Sequence, residues 1–332
     1  MDTPSLPPPI PAPVKDRHLG LIIFGSLEVL AGLGCALLTP LVFVGQMTEA
    51  KQNDHPFEWS LALPGLLMLG LMAVGLVWLG VGSILARRWA RALLLCLSSM
   101  GLVVGVTALV AIVPLLSSMD EKMLQQGQQV PPGMLLVVKI IAAAMVFIMY
   151  VVCPGALVLF YRSRHVKQTC EVRDPVERWT DRCPLPVLAL CLLQVAGSVS
   201  VLALPGSGAV FPLFGYLATG WAGRVLMWGF AVFSLYAARG FYRLNRGVWL
   251  AYMGTMITAM ISMAVTFLVV GLPEYYRASG LPEWQLEQVL NNPLIHSDLM
   301  VAFPVVSGLA YLGYLIWLRR FFPVDSTRPA SA

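Results

Sequence analysis

Eight long apolar runs separated by short polar stretches set the pattern of the chain: residues 19–45, 60–86, 92–116, 134–161, 185–204, 219–238, 248–271 and 299–318. A run of about 20 apolar residues crosses a bilayer as a helix, because only a helix satisfies its own backbone groups where no water can. The pattern therefore predicts an all-α integral membrane protein with eight transmembrane helices. The sixth run is the weakest, with Arg224 near its outer end. The preceding residues 211–217 read as a segment that lies flat or re-enters.

The loops carry the second signal. Lys15 and Arg17 precede the first run, and Arg87, Arg88 and Arg91 follow the second. Six further basic residues between 162 and 182, then Arg239, Arg243 and Arg246, then Arg319, Arg320 and Arg328, fall on the same side. The opposite loops hold only Lys51, Lys122 and Arg277 among many carboxylates. Basic residues collect on the cytoplasmic side, so both termini are expected there and the number of spans is even. Lys139 and Arg224, just inside outer helix ends, read as side chains that snorkel to the interface.

An internal echo runs through this pattern. Glu121, Leu124, Gln126 and Pro131 recur at one offset as Glu283, Leu286, Gln288 and Pro293, which reads as a short amphipathic helix stopped by proline in each half. Arg88 and Arg91 echo Arg243 and Arg246. Leu27-Glu28-Val29 echoes Leu193-Gln194-Val195, with Gly32 and Gly197 shortly after. Two four-helix halves of like orientation would be related by an axis along the membrane normal. The expected organisation is a Pro-rich tail (1–18), a first four-helix repeat (19–162), a charged cytoplasmic linker (163–184), a second repeat (185–321) and a short tail (322–332).

Composition agrees. The chain is 58% hydrophobic and 12% charged, against about 25% charged in soluble domains. The net charge of +5 flanks spans, which is a footprint of membrane orientation and gives no reason to expect nucleic acid. The prolines of residues 1–14 read as a polyproline or disordered tail, and the apolar run after them exceeds the 7–15 residues or so of a signal peptide core. Compactness and the lack of sorting signals lean towards a bacterial cytoplasmic membrane.

Chemistry is sparse. Glu28 lies about ten residues into the first run, near the bilayer midplane at about 1.5 Å per residue. An acid there costs roughly 2.5–3.5 kcal/mol, so it is expected to be protonated, paired or wet, and intramembrane acids mark proton relays and substrate sites. The bland alternative is a neutral side chain hydrogen-bonded across a helix interface, with Gln194 as partner if the halves meet there. Met253, Met256, Met260 and Met263 make one helix stripe, more readily a packing seam than a Cu(I) site. Gly101 and Gly105 read as a close helix contact. Cys170 and Cys183 share a polar loop without the further ligands that zinc needs. Asp54, His55 and Glu58 with His296 and Asp298 lack metal-ligand spacing.

No nucleotide loop, catalytic serine elbow or zinc-protease motif is present, so neither an enzyme nor a cofactor is expected. Two functions stand. One is a membrane-embedded binding or transport protein with ligand or proton site candidates Glu28, Gln194 and Arg224. The other is a non-enzymatic scaffold or assembly subunit packed against partner membrane proteins or further copies of itself. The expected surroundings are the bilayer and anionic lipid head groups at the cytoplasmic arginines.

Overall fold

The structure is a computed structural model describing residues 16–52, 57, 59–125, 132–203, 208–291 and 298–323. Helices dominate. In the first half they are α1 (His18–Gln52), α2 (Trp59–Ile84), α3 (Arg88–Gln125) and α4 (Pro132–Phe147), which passes through a π-helical turn (Ile148–Val152) into α5 (Cys153–Arg162). The second half holds α7 (Leu185–Ala203), α8 (Gly220–Tyr242), α9 (Arg246–Val269) and α12 (Asp298–Leu318), with the short helices α10 (Leu272–Ala278) and α11 (Glu283–Leu290) before the last. Among the described residues, seven helices are long and apolar enough to cross a membrane. The chain is thus an integral membrane protein of helical type.

Every long helix has one end near residues 163–184, called here the linker end. That segment is itself folded. It forms α6 (Arg164–Arg173) and a 3₁₀ turn (Trp179–Asp181) packed beneath the bundle. The Arg17 amide donates to Thr169 Oγ1 at 3.2 Å, and Arg173 pairs with Asp16 at 3.5 Å. Asp174, only 2% exposed, accepts from the Arg88 amide at 3.3 Å and pairs with Arg178 at 3.2 Å and Arg87 at 3.7 Å. A buried carboxylate needs such partners, since leaving it unpaired is costly.

The helices of the first half approach closely where they carry small residues. One stripe of α1 is buried: Leu21, Gly25, Glu28 and Gly32. A Cβ on Gly25 would lie 2.7 Å from the Gly80 carbonyl, one on Gly80 would lie 2.6 Å from the Gly25 carbonyl, and one on Gly32 would lie 2.8 Å from that of Ala73. Only hydrogen fits there, so α1 and α2 run backbone to backbone, as small residues allow in lipid. At the same spacing α7 buries Val187, Cys191, Gln194 and Ser198. Ser198 takes the last place in that stripe, and Gly197 has open space around it.

The α2–α3 and α8–α9 turns share one geometry. Ala86 (φ 52°) and Leu244 (φ 55°) take the left-handed conformation that ends many helices. In the first turn the Arg87 amide donates to Gly82 and that of Ala86 to Ser83; in the second the Asn245 amide donates to Gly240 and that of Leu244 to Phe241. A Cβ on Gly82 would strike Ala90, and one on Gly240 would strike Val248. This register sets Arg88 against Arg246. The expected pairing of Arg88 and Arg91 with Arg243 and Arg246 is off by about one helical turn, because arginines clustered at a helix end match in several registers.

Other expectations are corrected by the structure. Residues 211–217, expected to lie flat or re-enter instead of spanning, form no helix. They belong to an antiparallel hairpin, β1 (Phe211–Leu213) and β2 (Tyr216–Ala218), turned through Phe214 (φ 44°) and Gly215 (φ 89°), as a two-residue hairpin turn requires. Its backbone is held by α9. Ser262 accepts from the Phe214 amide at 2.9 Å and donates to the Pro212 carbonyl at 3.0 Å, while Thr266 accepts from the Gly215 amide at 3.0 Å. The acidic echo forms a separate helix only in the second half, as α11. In the first half Glu121 and Leu124 continue α3, and Gln126, Pro131 and Pro293 lie outside the described residues, as do residues 1–15 and 324–332.

Two apolar clusters form the interior. One joins α1, α2, α3, α5 and α6; the other joins α7, α8, α9 and α12, and takes in Cys96 of α3. The halves meet along α3 and α7, where the Cys96 thiol donates to the Leu185 carbonyl at 3.5 Å. The π turn has a visible cause. Pro154 lacks the amide that an α-helix would offer to the Tyr150 carbonyl. That carbonyl faces Gly105, where an added Cβ would lie 1.9 Å away. Gly101 meets Pro154 at 3.8 Å, so the two glycines form a close helix contact.

Candidate functional site

Glu28 is 5% exposed, sealed between the glycines of its stripe against α2. Its Oε1 meets the Tyr161 hydroxyl at 3.1 Å. That hydroxyl lies 2.6 Å from Ser83 Oγ, which reaches the Leu21 carbonyl at 3.3 Å. Glu28 Oε2 has no hydrogen-bond partner, and among the described residues no cation pairs with Glu28. Tyr161 is one residue from the end of α5 and Ser83 one from the end of α2. A helical side chain leans toward its own N-terminus, so the Glu28 carboxyl sits nearer the linker end than its place in the sequence suggests.

Counting hydrogens defines what this row can do. Three contacts link Leu21, Ser83, Tyr161 and Glu28, while the two hydroxyls bring one hydrogen each. If Ser83 donates to the Leu21 carbonyl and Tyr161 to Ser83, the third contact is a hydrogen bond only when Glu28 carries a proton and donates it. If Glu28 is ionised, Tyr161 turns to donate to it, Ser83 turns to Tyr161, and the Leu21 contact is lost. The hydrogen count of the row thus differs by one between the two states of Glu28, and the two hydroxyls would point opposite ways in them.

Gln194 does not meet Glu28. It donates through Nε2 to the Tyr311 hydroxyl in its own half, and Tyr311 lies 3.1 Å from the Tyr252 hydroxyl. The expected shared interface is replaced by two parallel arrangements, each a polar side chain on the first helix of a half facing a tyrosine on its fourth. An amide always has hydrogens to give, so Gln194 holds permanently the donor role that Glu28 takes only when protonated. Sequence alone did not expose these tyrosines, because Tyr161 beside Arg162 reads as an interfacial aromatic.

Arg224 is brought to neither network. It lies in the first turns of α8, at the hairpin end, with its guanidinium 4.7 Å from the Trp221 ring and its Nε buried without a hydrogen-bond partner. The methionine stripe faces protein: Met253 lies in the second apolar cluster with Met256 packed on it, and Met260 fills the space above Gly308. Among the described residues no three His, Cys, Asp or Glu side chains gather as a metal site; Asp54, His55, Glu58 and His296 lie outside those residues. Cys170 is 1% exposed, and burial pushes its thiol up to about 11.

Comparison with protein-family models, with curated proteins and with solved structures finds no match to this chain.

Proposed function

We propose that this chain is an eight-span membrane protein of two like four-helix halves with both termini in the cytoplasm, and that it binds a proton at Glu28 within a binding or transport cycle. The eighth span is α12, a 21-residue helix that packs on α9. The repeat is supported by the shared turns at Ala86 and Leu244, by the equal spacing of the buried stripes on α1 and α7, and by the paired polar–tyrosine contacts. Orientation rests on the arginine-rich loops.

The observation that carries the function is the row Glu28–Tyr161–Ser83, which has one hydrogen bond too many for an ionised carboxylate. Such a row can hold one proton at Glu28 and redistribute its hydroxyl hydrogens when that proton is lost, without admitting a larger ligand, since Glu28 is sealed between helices. Intramembrane acids mark proton relays and substrate sites, and the sealed setting of Glu28 favours the first.

The test is infrared difference spectroscopy of the reconstituted protein between neutral and alkaline buffer, with dye-reported proton flux alongside. Wild type should lose a protonated-carboxyl band on alkalinisation that Glu28→Gln lacks, and flux should fall at least tenfold in the variant. An unchanged band and flux in Glu28→Gln would sink the proposal.

A second reading, a membrane scaffold, would rest on α4. The apolar stretch Gly133–Arg162 has none of its most apolar window buried, so α4 offers a whole helix face to lipid or to another protein. Photocross-linkers on Val137 and Ile141 would capture one defined protein if α4 is a docking helix, and lipid alone if it is a lipid-facing wall.

A further inference from the structure

The two halves treat the same corner of the bundle in opposite ways. After the α2–α3 turn, Arg88 is held by Glu171 at 3.5 Å and by Asp181 at 3.8 Å, and Arg87 by Asp174. Arg246 stands in the place of Arg88 after the α8–α9 turn, yet among the described residues no carboxylate pairs with it. The linker reaches the second corner through the Trp179 carbonyl, which accepts from Tyr242 at 2.9 Å, and through Cys183, and brings no carboxylate to Arg246 among the described residues.

Arg246 instead lines a cavity of about 480 Å³ with Arg319, Arg320, Trp317, Ile316 and Phe322. The Arg320 guanidinium lies 3.8 Å from the Trp317 ring and 4.8 Å from that of Phe321, which steadies a side chain that would otherwise be free. Neither Arg319 nor Arg320 pairs with a carboxylate among the described residues. Three guanidinium groups around one concavity repel each other until an anion enters, and the positive end of the α9 dipole at Arg246 adds to the attraction. Planar guanidinium forks match phosphate oxygens two at a time.

The geometry points to a site for the phosphate of an anionic lipid headgroup. Phosphate chemistry alone would admit a soluble ester too. The lipid is favoured because the same rim is apolar and open, with Ile316 60% and Trp317 46% exposed. An acyl chain can run along the outer face of α12 while its headgroup enters among the arginines. Basic pockets at the ends of membrane helices hold headgroups in this way. The site is remote from Glu28 and stands independently of the proton reading.

Native mass spectrometry of the full chain in mild detergent, with phosphatidylglycerol or phosphatidylcholine added, reads this directly. Wild type should retain phosphatidylglycerol and not phosphatidylcholine. Arg246→Gln, Arg319→Gln and Arg320→Gln should each weaken retention about fivefold, from the attraction of one arginine near a charged surface, and the triple variant should abolish it. Arg87→Gln with Arg88→Gln should leave retention unchanged, because those arginines are already paired. Equal retention of both lipids by wild type, or equal loss in both sets of variants, would overturn the site. Displacement of the lipid by an equal concentration of glycerol phosphate would overturn its assignment to a lipid. Should the triple variant aggregate, the single variants decide the matter at their fivefold step.

Discussion

Tyr161 is the centre of the polar row in the first half. Tyr161→Phe removes the hydroxyl that touches both Glu28 and Ser83, leaving two buried polar groups without it. Hydrogen bonds between membrane helices contribute about 0.6 kcal/mol on average and up to about 1.7, so the variant should lose about 1–2 kcal/mol in detergent unfolding. Tyr236→Phe, on an exposed side chain, should lose nothing measurable. Cys170 supplies a pH dependence outside the spans. Burial, opposed by the nearby Arg91 charge, raises its thiol from 9.0 to about 11. A group whose proton is held more tightly in the folded state stabilises fully below its unfolded value. Its contribution therefore fades as pH rises from about 9 through about 11. Cys170→Ala should flatten the pH dependence of the unfolding midpoint in that window and lower the midpoint by a constant amount below it, through the cavity that a lost buried thiol leaves.

Elements in this protein are positioned by what their small residues permit. The α1–α2 contact has hydrogen atoms where other helix pairs have side chains. Gly80→Ala should cost about 1–3 kcal/mol, the range for overpacking a tight interface. Gly70→Ala, on the same helix with nothing within 4 Å, should be neutral in the same unfolding assay. Spans were legible in the sequence because lipid demands long apolar runs. Which face of each run meets protein was not, because lipid-facing and protein-facing side chains are equally apolar. Glu28 was the exception, since a polar side chain has reason to avoid lipid; glycine was not, because Gly25 and Gly32 meet α2 while Gly34, Gly70 and Gly75 have open space. The hairpin was hidden for a related reason: Phe214-Gly215 lacks the Asn-Gly signature of a tight turn, and its anchors Ser262 and Thr266 resemble any polar residues on a membrane helix. The folding of the linker was equally hidden, because Asp174 becomes informative only once Arg87 and Arg178 are beside it.

At the scale of the whole molecule the arginine-rich loops and the folded linker share one end, so topology has a direct check. Fluorescent-protein fusions at either terminus should glow in cells, since that reporter matures in the cytoplasm. An export-dependent phosphatase inserted after Gly208, at the hairpin end, should be active, and a silent phosphatase there with dark termini would reverse the orientation. The linker also carries a consequence for how the chain is made. Asp16 and Arg17 are held by Arg173 and Thr169, and Arg87 and Arg88 by Asp174 and Glu171. None of these partners exists until the ribosome has passed all the helices of the first half. Domains tend to close in order of synthesis. The first half therefore stays unlatched at its start and fastens itself from below only once α6 has followed it out of the ribosome. The place of this clasp in the sequence makes it the last part of the first half to form, and a truncated transcript ending near residue 162 would yield a half that keeps its helix contacts and lacks the clasp beneath them.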